Sequence, residues 1–322
     1  MTTIVTGGLG FIGSNFVFSH LKKYPSDHIV VVDNQSYASN TKNLFDYIQS
    51  KYSSSLFEDY RFSFRKVDIR DSRSLELLYD RVLPDITFHF AAESHVDNSI
   101  SGDDEFLSTN IDGTHNILKC IRKYGGKLVH ISTDEVYGSL SLDAPGFTEE
   151  TPYDPRNPYS ATKAASDHLV RSYVNTHKIQ AVVTNCSNNY GPRQHAEKLI
   201  PTIIRKAKAD EPISIYGDGQ NVRDWLYVDD HCEALLAIGK NFIPGDRFNI
   251  GGGFEINNLD LTHLILDMMN KPRSLVKFVE DRKGHDLRYS INSSKIRDKF
   301  NWQPKVSFND GLVKTLEWYN NA

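Results

Sequence analysis

Ser132-Thr133-Asp134-Glu135 closes the apolar run Leu128-Val129-His130-Ile131, so a hydroxyl pair and two adjacent carboxylates follow a strand-like segment. Beyond Val136-Tyr137-Gly138, the segment from Ser139 to Gly146 reads as a loop. Downstream, Tyr159 and Lys163 lie four apart in Pro158-Tyr159-Ser160-Ala161-Thr162-Lys163. Four residues on a helix is one face, so a phenol and an ammonium converge there. Two carboxylates, a phenol and an amine at one pocket point to several proton transfers in a single reaction. Each pair alone has a plainer use, as acids in a wet loop or as ordinary helix neighbours. Their joint placement beyond a buried strand favours the chemical reading, because ligands of open α/β sheets sit at the carboxyl ends of strands.

The elements around them supply such a sheet. Thr3–Thr6 reads as a strand, Gly7-Gly8-Leu9-Gly10-Phe11-Ile12-Gly13 as a glycine turn, and the run to about Lys23 as an amphipathic helix. Glycines let a backbone approach a pyrophosphate, and a helix N-terminus offers free N–H groups. The spacing is GxxGxxG rather than the dehydrogenase GxGxxG. A second apolar strand, Ile29–Asp33, ends in an acid twenty residues past Gly13, suited to ribose hydroxyls. A carboxylate there repels a 2′-phosphate and favours NAD over NADP.

The polar stretch 34–60 holds a helix near Lys42–Lys51, and Phe62–Val67 is a third strand ending at Asp68-Ile69. Asp68 serves either an adenine amino group or the cap of the next helix. Ile86–Ala92 is a fourth strand whose small residues let a flat cofactor close in, with Glu93–Asn98 a polar loop and Asp103–Tyr124 a long helix. Ile179–Asn185 makes a sixth strand, and Asn188 and Asn189 after it offer amides to a cofactor, or simply form a turn. The β-α alternation then loosens. Helices are expected after Pro201, over Val228–Gly239, Leu259–Asn270, Ser293–Lys299 and Phe308–Tyr319, and strands at Ile213–Tyr216 and Val276–Val279. Arg247–Ile250 is a short strand able to rejoin the main sheet. Arg223 suits bidentate phosphate contact, or a surface ion pair with Asp224.

The fold class is therefore α/β, a Rossmann-type doubly wound parallel sheet with a smaller C-terminal α/β substrate domain. The expected division is 1–185 plus about 227–257 for NAD, and 186–226 with 258–322 for substrate. The 322 residues, 39 % apolar and 24 % charged, suit a soluble globular protein with two such units. A net charge of −4 without a basic cluster argues against nucleic-acid or membrane partners, and no apolar run reaches the roughly 18–20 residues of a membrane span. Cys120, Cys186 and Cys232 are scattered and odd in number, and the N-terminus enters a strand without a signal-like segment, so a reducing cytoplasm is expected. The twelve His show no ligand spacing, so no metal is expected.

The glycine turn, Asp33, Asp68-Ile69 and Tyr159 with Lys163 resemble the extended short-chain dehydrogenase/reductase family. Within it, Ala91–Asp97, Ser132–Gly138, Glu197-Lys198-Leu199-Ile200-Pro201, Arg223–Tyr227 and Gly284–Tyr289 resemble nucleotide-sugar 4,6-dehydratases acting on dTDP- or UDP-glucose. UDP-sugar 4-epimerases lack the Asp134-Glu135 pair.

The resemblance implies NAD, a sugar nucleotide (UDP- or dTDP-glucose), and a homodimer through a four-helix bundle of the helices near Asp103–Tyr124 and Pro158–Asn175. It implies Tyr159 as base at the hydroxyl of sugar carbon 4, its phenolate favoured by Lys163 and by the nicotinamide charge. Glu135 is implied as base at carbon 5, Asp134 as acid at carbon 6, and Thr133 as hydrogen-bond partner of the oxygen on carbon 4. Contacts to NAD are implied for Gly7, Gly10, Phe11, Ile12, Gly13, Asp33, Asn34, Asp68, Ile69, Ala91, Ala92, Thr109, Tyr159, Lys163 and Asn189. Those to the sugar nucleotide fall on His95, Thr133, Asn188, Lys198, Leu199, Tyr216, Arg223, Asn258, Asp281, Arg282 and His285.

Asn98 stands where bacterial members carry Arg, Arg193–Ala196 replaces an aromatic-Pro approach, and Lys283 replaces Pro. These departures leave uracil or thymine open. The rival readings are a 4-epimerase or glucuronate decarboxylase of the same family, or a non-catalytic NAD-binding protein.

Overall fold

The computed structural model describes residues 1–45 and 61–321. Of the helix expected near Lys42–Lys51, residues 42–45 are helical and the remainder lies outside the described residues.

Seven strands make the main sheet: β1 (Thr2–Thr6), β2 (His28–Asp33), β3 (Phe62–Lys66), β4 (Ile86–His89), β5 (Lys127–Thr133), β6 (Gln180–Cys186) and, much later, β10 (Arg247–Ile250). Their order is β10-β6-β5-β4-β1-β2-β3, every pairing parallel. This is the doubly wound order with one added strand, and it reverses between β1 and β4, where ligands bind. Arg247–Ile250 does rejoin the sheet, with Arg247 opposite Val183 and Ile250 opposite Cys186.

Strand alternation divides the buried residues between two faces. Val5, Phe88, Val129 and Val182 pack with Phe16, Leu235 and Phe248 on one side. Ile4, Val30, Leu128 and Ala181 pack with Leu75, Ile117 and Val170 on the other. Between β6 and β10 lie β7 (Asn188–Tyr190), β8 (Ile213–Tyr216) and β9 (Val222–Tyr227), and after β10 come β11 (Glu255–Asn257) and β12 (Val276–Val279). They form a β11-β9-β7 sheet and a β12-β8 pair over a third core of Ile203, Ile213, Trp225, Leu261 and Leu312. Ile296 and Trp302 return to the first core, so that part of 258–322 packs under the large sheet.

Local chemistry explains the helix ends nearest the cavity. Pro158–His177 starts at Asn157, whose side chain accepts from Ser160 N while Ser160 Oγ accepts from Asn157 N, with Pro at the first position. Asp71 caps Ser72–Val82 by accepting from Arg73 N and Ser74 N, so the helix is capped by Asp71 rather than Asp68. Glu93–Asn98 is a loop only as far as His95, because His95 caps a short helix, Val96–Ser101. The long helix to Tyr124 carries a π-helical stretch at Leu107–Gly113, a distortion common at functional sites. There Asn110 Nδ2 donates to Glu93 O at 3.0 Å, and Asn110 Oδ1 accepts from Glu93 N at 2.9 Å.

Candidate active site

One cavity of about 290 Å³ opens along the carboxyl ends of β1, β4 and β5. It is lined by Thr133, Asp134, Glu135, Tyr159 and Lys163, and by every residue expected at NAD except Asp68. Asp68 is turned to Arg70 and Asn34, whose Nδ2 donates to it at 3.1 Å. Of the expected sugar-nucleotide contacts, Asn188 and Lys198 line the cavity alongside Thr133. His95, Leu199, Tyr216, Arg223, Asn258, Asp281, Arg282 and His285 do not. Leu199 faces the third core, where its apolar side chain is drawn among Ile200, Ile203 and Ile204. Asn258 opens the Asn258–Met268 helix, with its N–H donating to Asn221 O at 3.1 Å.

The glycine turn fits a pyrophosphate. A Cβ on Gly13 would stand 2.3 Å from Gly7 O, and Gly7 has φ +67°. The Phe11–Lys23 helix begins at Gly10 without a side-chain cap, leaving first-turn N–H groups for an anion. Asp33 Oδ2 accepts from Leu9 N at 3.0 Å and Oδ1 from Gln35 N at 2.8 Å. These bonds fix the carboxylate and leave lone pairs for a diol. The cavity therefore suits a dinucleotide.

At the other end, β5 ends at Thr133, and Asp134–Tyr137 turns in a tight helical coil. Asp134 is 2 % exposed, and Thr133 Oγ1 donates to its Oδ1 at 3.3 Å. Burial, then Glu135 and Asp224, push its carboxyl well above the usual range. Glu135 is half-buried by surface, but deep enough that desolvation raises it too, while Arg223 and Lys198 pull it back. Asn157 Nδ2 donates to Glu135 Oε2 at 3.4 Å. Both carboxyls are thus raised, Asp134 the more strongly, and cations oppose the rise appreciably only at Glu135.

Tyr159 is pushed up by burial and by Glu135, and is drawn down by a hydrogen bond with Thr133. Lys163 Nζ, one turn along the same helix from Tyr159, donates to Ile131 O at 2.8 Å.

Beside this cavity a second cluster joins the two cores. Arg223 and Asp224 are both buried and do not form the surface pair. Arg223 lies 4.2 Å over the Tyr289 ring and donates to Asp286 O at 3.1 Å. Arg282 pairs with Asp97 at 2.6 Å and stacks on Tyr216, and His285 Nδ1 is 2.7 Å from Asp281 Oδ1. His95 Nε2 is 4.0 Å from Glu197, and Lys198 Nζ donates to Ser94 O at 2.7 Å.

Sequence reasoning passed over Tyr289, Asn157 and Glu197 as single residues. Tyr289 ended a polar motif without a signal of its own. Asn157 was legible as an Asn-Pro helix start. Among the described residues no His, Cys, Asp or Glu group could hold a metal ion, and no helix is long and apolar enough to cross a membrane.

Fold and site define a member of the extended short-chain dehydrogenase/reductase class, built around a Rossmann-type sheet. The chain belongs to the GDP-mannose 4,6 dehydratase family, whose model matches residues 4–315. It is 42 % identical to a dTDP-glucose 4,6-dehydratase of Haemophilus influenzae over 340 residues, covering 99 % of this chain and 98 % of that protein. A similar protein of Actinoplanes sp. with the same description is 43 % identical over 326 residues, covering 99 % and 98 %. Among solved structures, a Streptomyces venezuelae dTDP-glucose 4,6-dehydratase with NAD and TYD bound superposes with a TM-score of 0.93 at 43 % identity, covering 100 % and 97 %. A UDP-glucose 4-epimerase of Thermotoga maritima gives 0.89 at 28 %, covering 100 % and 99 %.

Proposed function

We propose that this chain is an NAD-dependent hydro-lyase that converts a nucleoside-diphosphate glucose, dTDP-glucose first among them, to its 4-keto-6-deoxy form. The observation that carries this is the Asp134-Glu135 pair lining one cavity with Tyr159, Asp134 raised by burial and Glu135 drawn back by Arg223 and Lys198.

NAD in the glycine-turn cavity supplies a hydride acceptor that becomes a donor. Gly7, Gly10 and Gly13 admit its pyrophosphate, Asp33 its ribose, and Phe11, Ile12, Asn34, Ile69, Ala91, Ala92, Thr109 and Asn189 its remaining surface. Tyr159 takes the proton of the sugar hydroxyl at carbon 4, and Thr133 holds that oxygen. Once carbon 4 is a ketone the proton at carbon 5 is acidic, and Glu135 removes it. Asp134 protonates the hydroxyl leaving carbon 6, which departs as water. Lys198 and Arg223, the cations that lower Glu135, are the groups suited to the diphosphate.

The second unit, 186–226 with 258–322, carries Tyr216, Arg223, Asp281, Arg282 and His285 toward that substrate, and 1–185 with 227–257 carries NAD. The chain works as a homodimer through the helices ending at Tyr124 and His177, where Leu107 is 44 % exposed beside Ile111 and Ala161. Three buried free cysteines support a cytoplasmic setting.

Incubation with dTDP-glucose and with UDP-glucose, followed by alkali absorbance and mass spectrometry, tests the reading. A 4-keto product lighter by one water is expected. A product of unchanged mass would make the chain an epimerase, and no turnover of either substrate would make it a binding protein.

A further inference from the structure

Lys163 and Asp167 lie four apart on Pro158–His177, both at most 4 % exposed, and both are tied to consecutive residues of β5. Lys163 Nζ donates to Ile131 O at 2.8 Å, and Ser132 Oγ donates to Asp167 Oδ2 at 2.9 Å. The same oxygen accepts from Tyr153 OH at 2.8 Å and from Asn185 Nδ2 at 3.2 Å, while His130 Nε2 stands 3.2 Å from Oδ1. A buried carboxylate with three donors on one oxygen and an imidazole beside the other is stable as an anion. A buried ammonium needs such an anion, since desolvation of an unpaired charge is costly.

We propose that Asp167 is the counter-ion and positioning residue of Lys163, locking the ammonium to the strand that delivers Thr133, Asp134 and Glu135. This rests on the reading of Lys163 as part of the cofactor end of the site.

The titratable and charged groups facing the pair are His89 on β4, His130 on β5, Cys186 on β6 and Arg247 on β10. Tyr137 and Tyr153 face it from the segment after β5, and Tyr159 from the shared helix. Burial holds His89 and His130 below the ordinary imidazole value and pushes Cys186 up to about 12 and the phenols up. Besides Arg247, the charged side chains sharing a cavity with Asp167 are Glu149, Glu150, Asp246 and Lys295, and those sharing one with Lys163 include Asp134 and Glu135. Burial lowers Lys163, and Asp167 is the largest influence opposing it.

The sign follows. Without Asp167 the ammonium loses its proton at lower pH, and the alkaline limb of turnover moves down. Asp167→Asn in the NAD-loaded enzyme is expected to shift that limb by about one pH unit, a roughly tenfold loss on its alkaline side, while KM changes little. In a Lys163→Met background the same substitution should cost nothing further. A limb that stays at the wild-type pH, or losses that simply add, would overturn the proposal. Should Asp167→Asn not fold, the ¹⁵N resonance of Lys163 in wild-type enzyme decides. An ammonium at pH 7 supports the pairing, and a neutral amine overturns it. Lys163→Met with wild-type turnover would instead remove the reading of Lys163 on which the proposal stands.

Discussion

Gly13→Ala is the most direct test of the cofactor cradle. The new Cβ would lie 2.3 Å from Gly7 O, 3.0 Å from Gly7 C and 3.0 Å from Gly8 Cα. Ordinary contact begins near 3.4 Å, so about 1 Å must open between the turn and the helix. All three obstacles are backbone, and none can swing aside as a side chain would. Gly7 is itself held by its N–H to Val32 O at 2.8 Å, and a Cβ on it would meet Ala91 N at 2.7 Å, so the turn has no slack toward β4. Overpacking of this kind costs about 1–3 kcal/mol. In a chain of this length that lowers the melting midpoint by a few degrees. The effect on NAD should be larger in proportion, because a ~1 Å displacement of positioning groups can cost on the order of a hundredfold. NADH binding by fluorescence titration and melting by calorimetry measure the two effects. Gly102→Ala is the control, since its backbone is extended and its Cβ would meet nothing within 4 Å. Wild-type NADH affinity and melting in Gly13→Ala would refute the cradle.

Glu135→Gln should bind NAD normally, while exchange of the carbon 5 proton with D₂O falls by roughly a hundredfold or more, as expected of a lost general base; exchange at the wild-type rate would remove Glu135 from that role. Arg223→Met withdraws the first group that lowers Glu135, so the acid limb of kcat should move to higher pH, and an unmoved limb would count against the arrangement. Asp224, 1 % exposed, is pushed from 3.8 to about 7 by burial. Its folded form keeps a proton that the unfolded chain releases, so this contribution to stability is full below about pH 4 and lost as pH rises through about 7. Asp224→Asn should therefore gain on the wild type between pH 5 and pH 8, by at most about 3 kcal/mol, and equal gaps in melting at both pH values would contradict it. On the proposed homodimer, light scattering should give a dimer mass for the wild type and a monomer mass for Leu107→Asp, and equal masses for the two would contradict that interface.

Much of the sheet was legible because parallel strands buried on both faces read as unbroken apolar runs, as in Ile29–Asp33 and Ile86–His89. The glycine turn and the Asp134-Glu135 pair were equally plain, since each must be contiguous to work. What was not legible depends on contacts distant in sequence. The helix at Val96–Ser101 is six residues long and is started by an imidazole cap, a weak local signal. The π-helical stretch at Leu107–Gly113 follows from Asn110 reaching back to Glu93, and its residues look helical on their own. Lys163 shared a face with Tyr159 as periodicity required, but its partner proved to be the Ile131 carbonyl, invisible to any spacing rule. Tyr289 meets Arg223 only because Val222 bonds Tyr289 N across 67 positions of sequence, a number set by topology rather than by motif.

The late return of Arg247–Ile250 to the sheet sets an order on biosynthesis. Until some 250 residues have left the ribosome, β6 is an open edge, and its Val182 lacks the cover of Phe248 and Trp302. A nascent chain halted at the end of β6 would carry the whole glycine turn and both acids on an unfinished platform, prone to pair with its neighbours. Cutting the gene after Cys186 to obtain a free-standing nucleotide-binding half should therefore give aggregates, whereas a fusion that restores the Arg247–Ile250 strand through a short linker has a route to solubility.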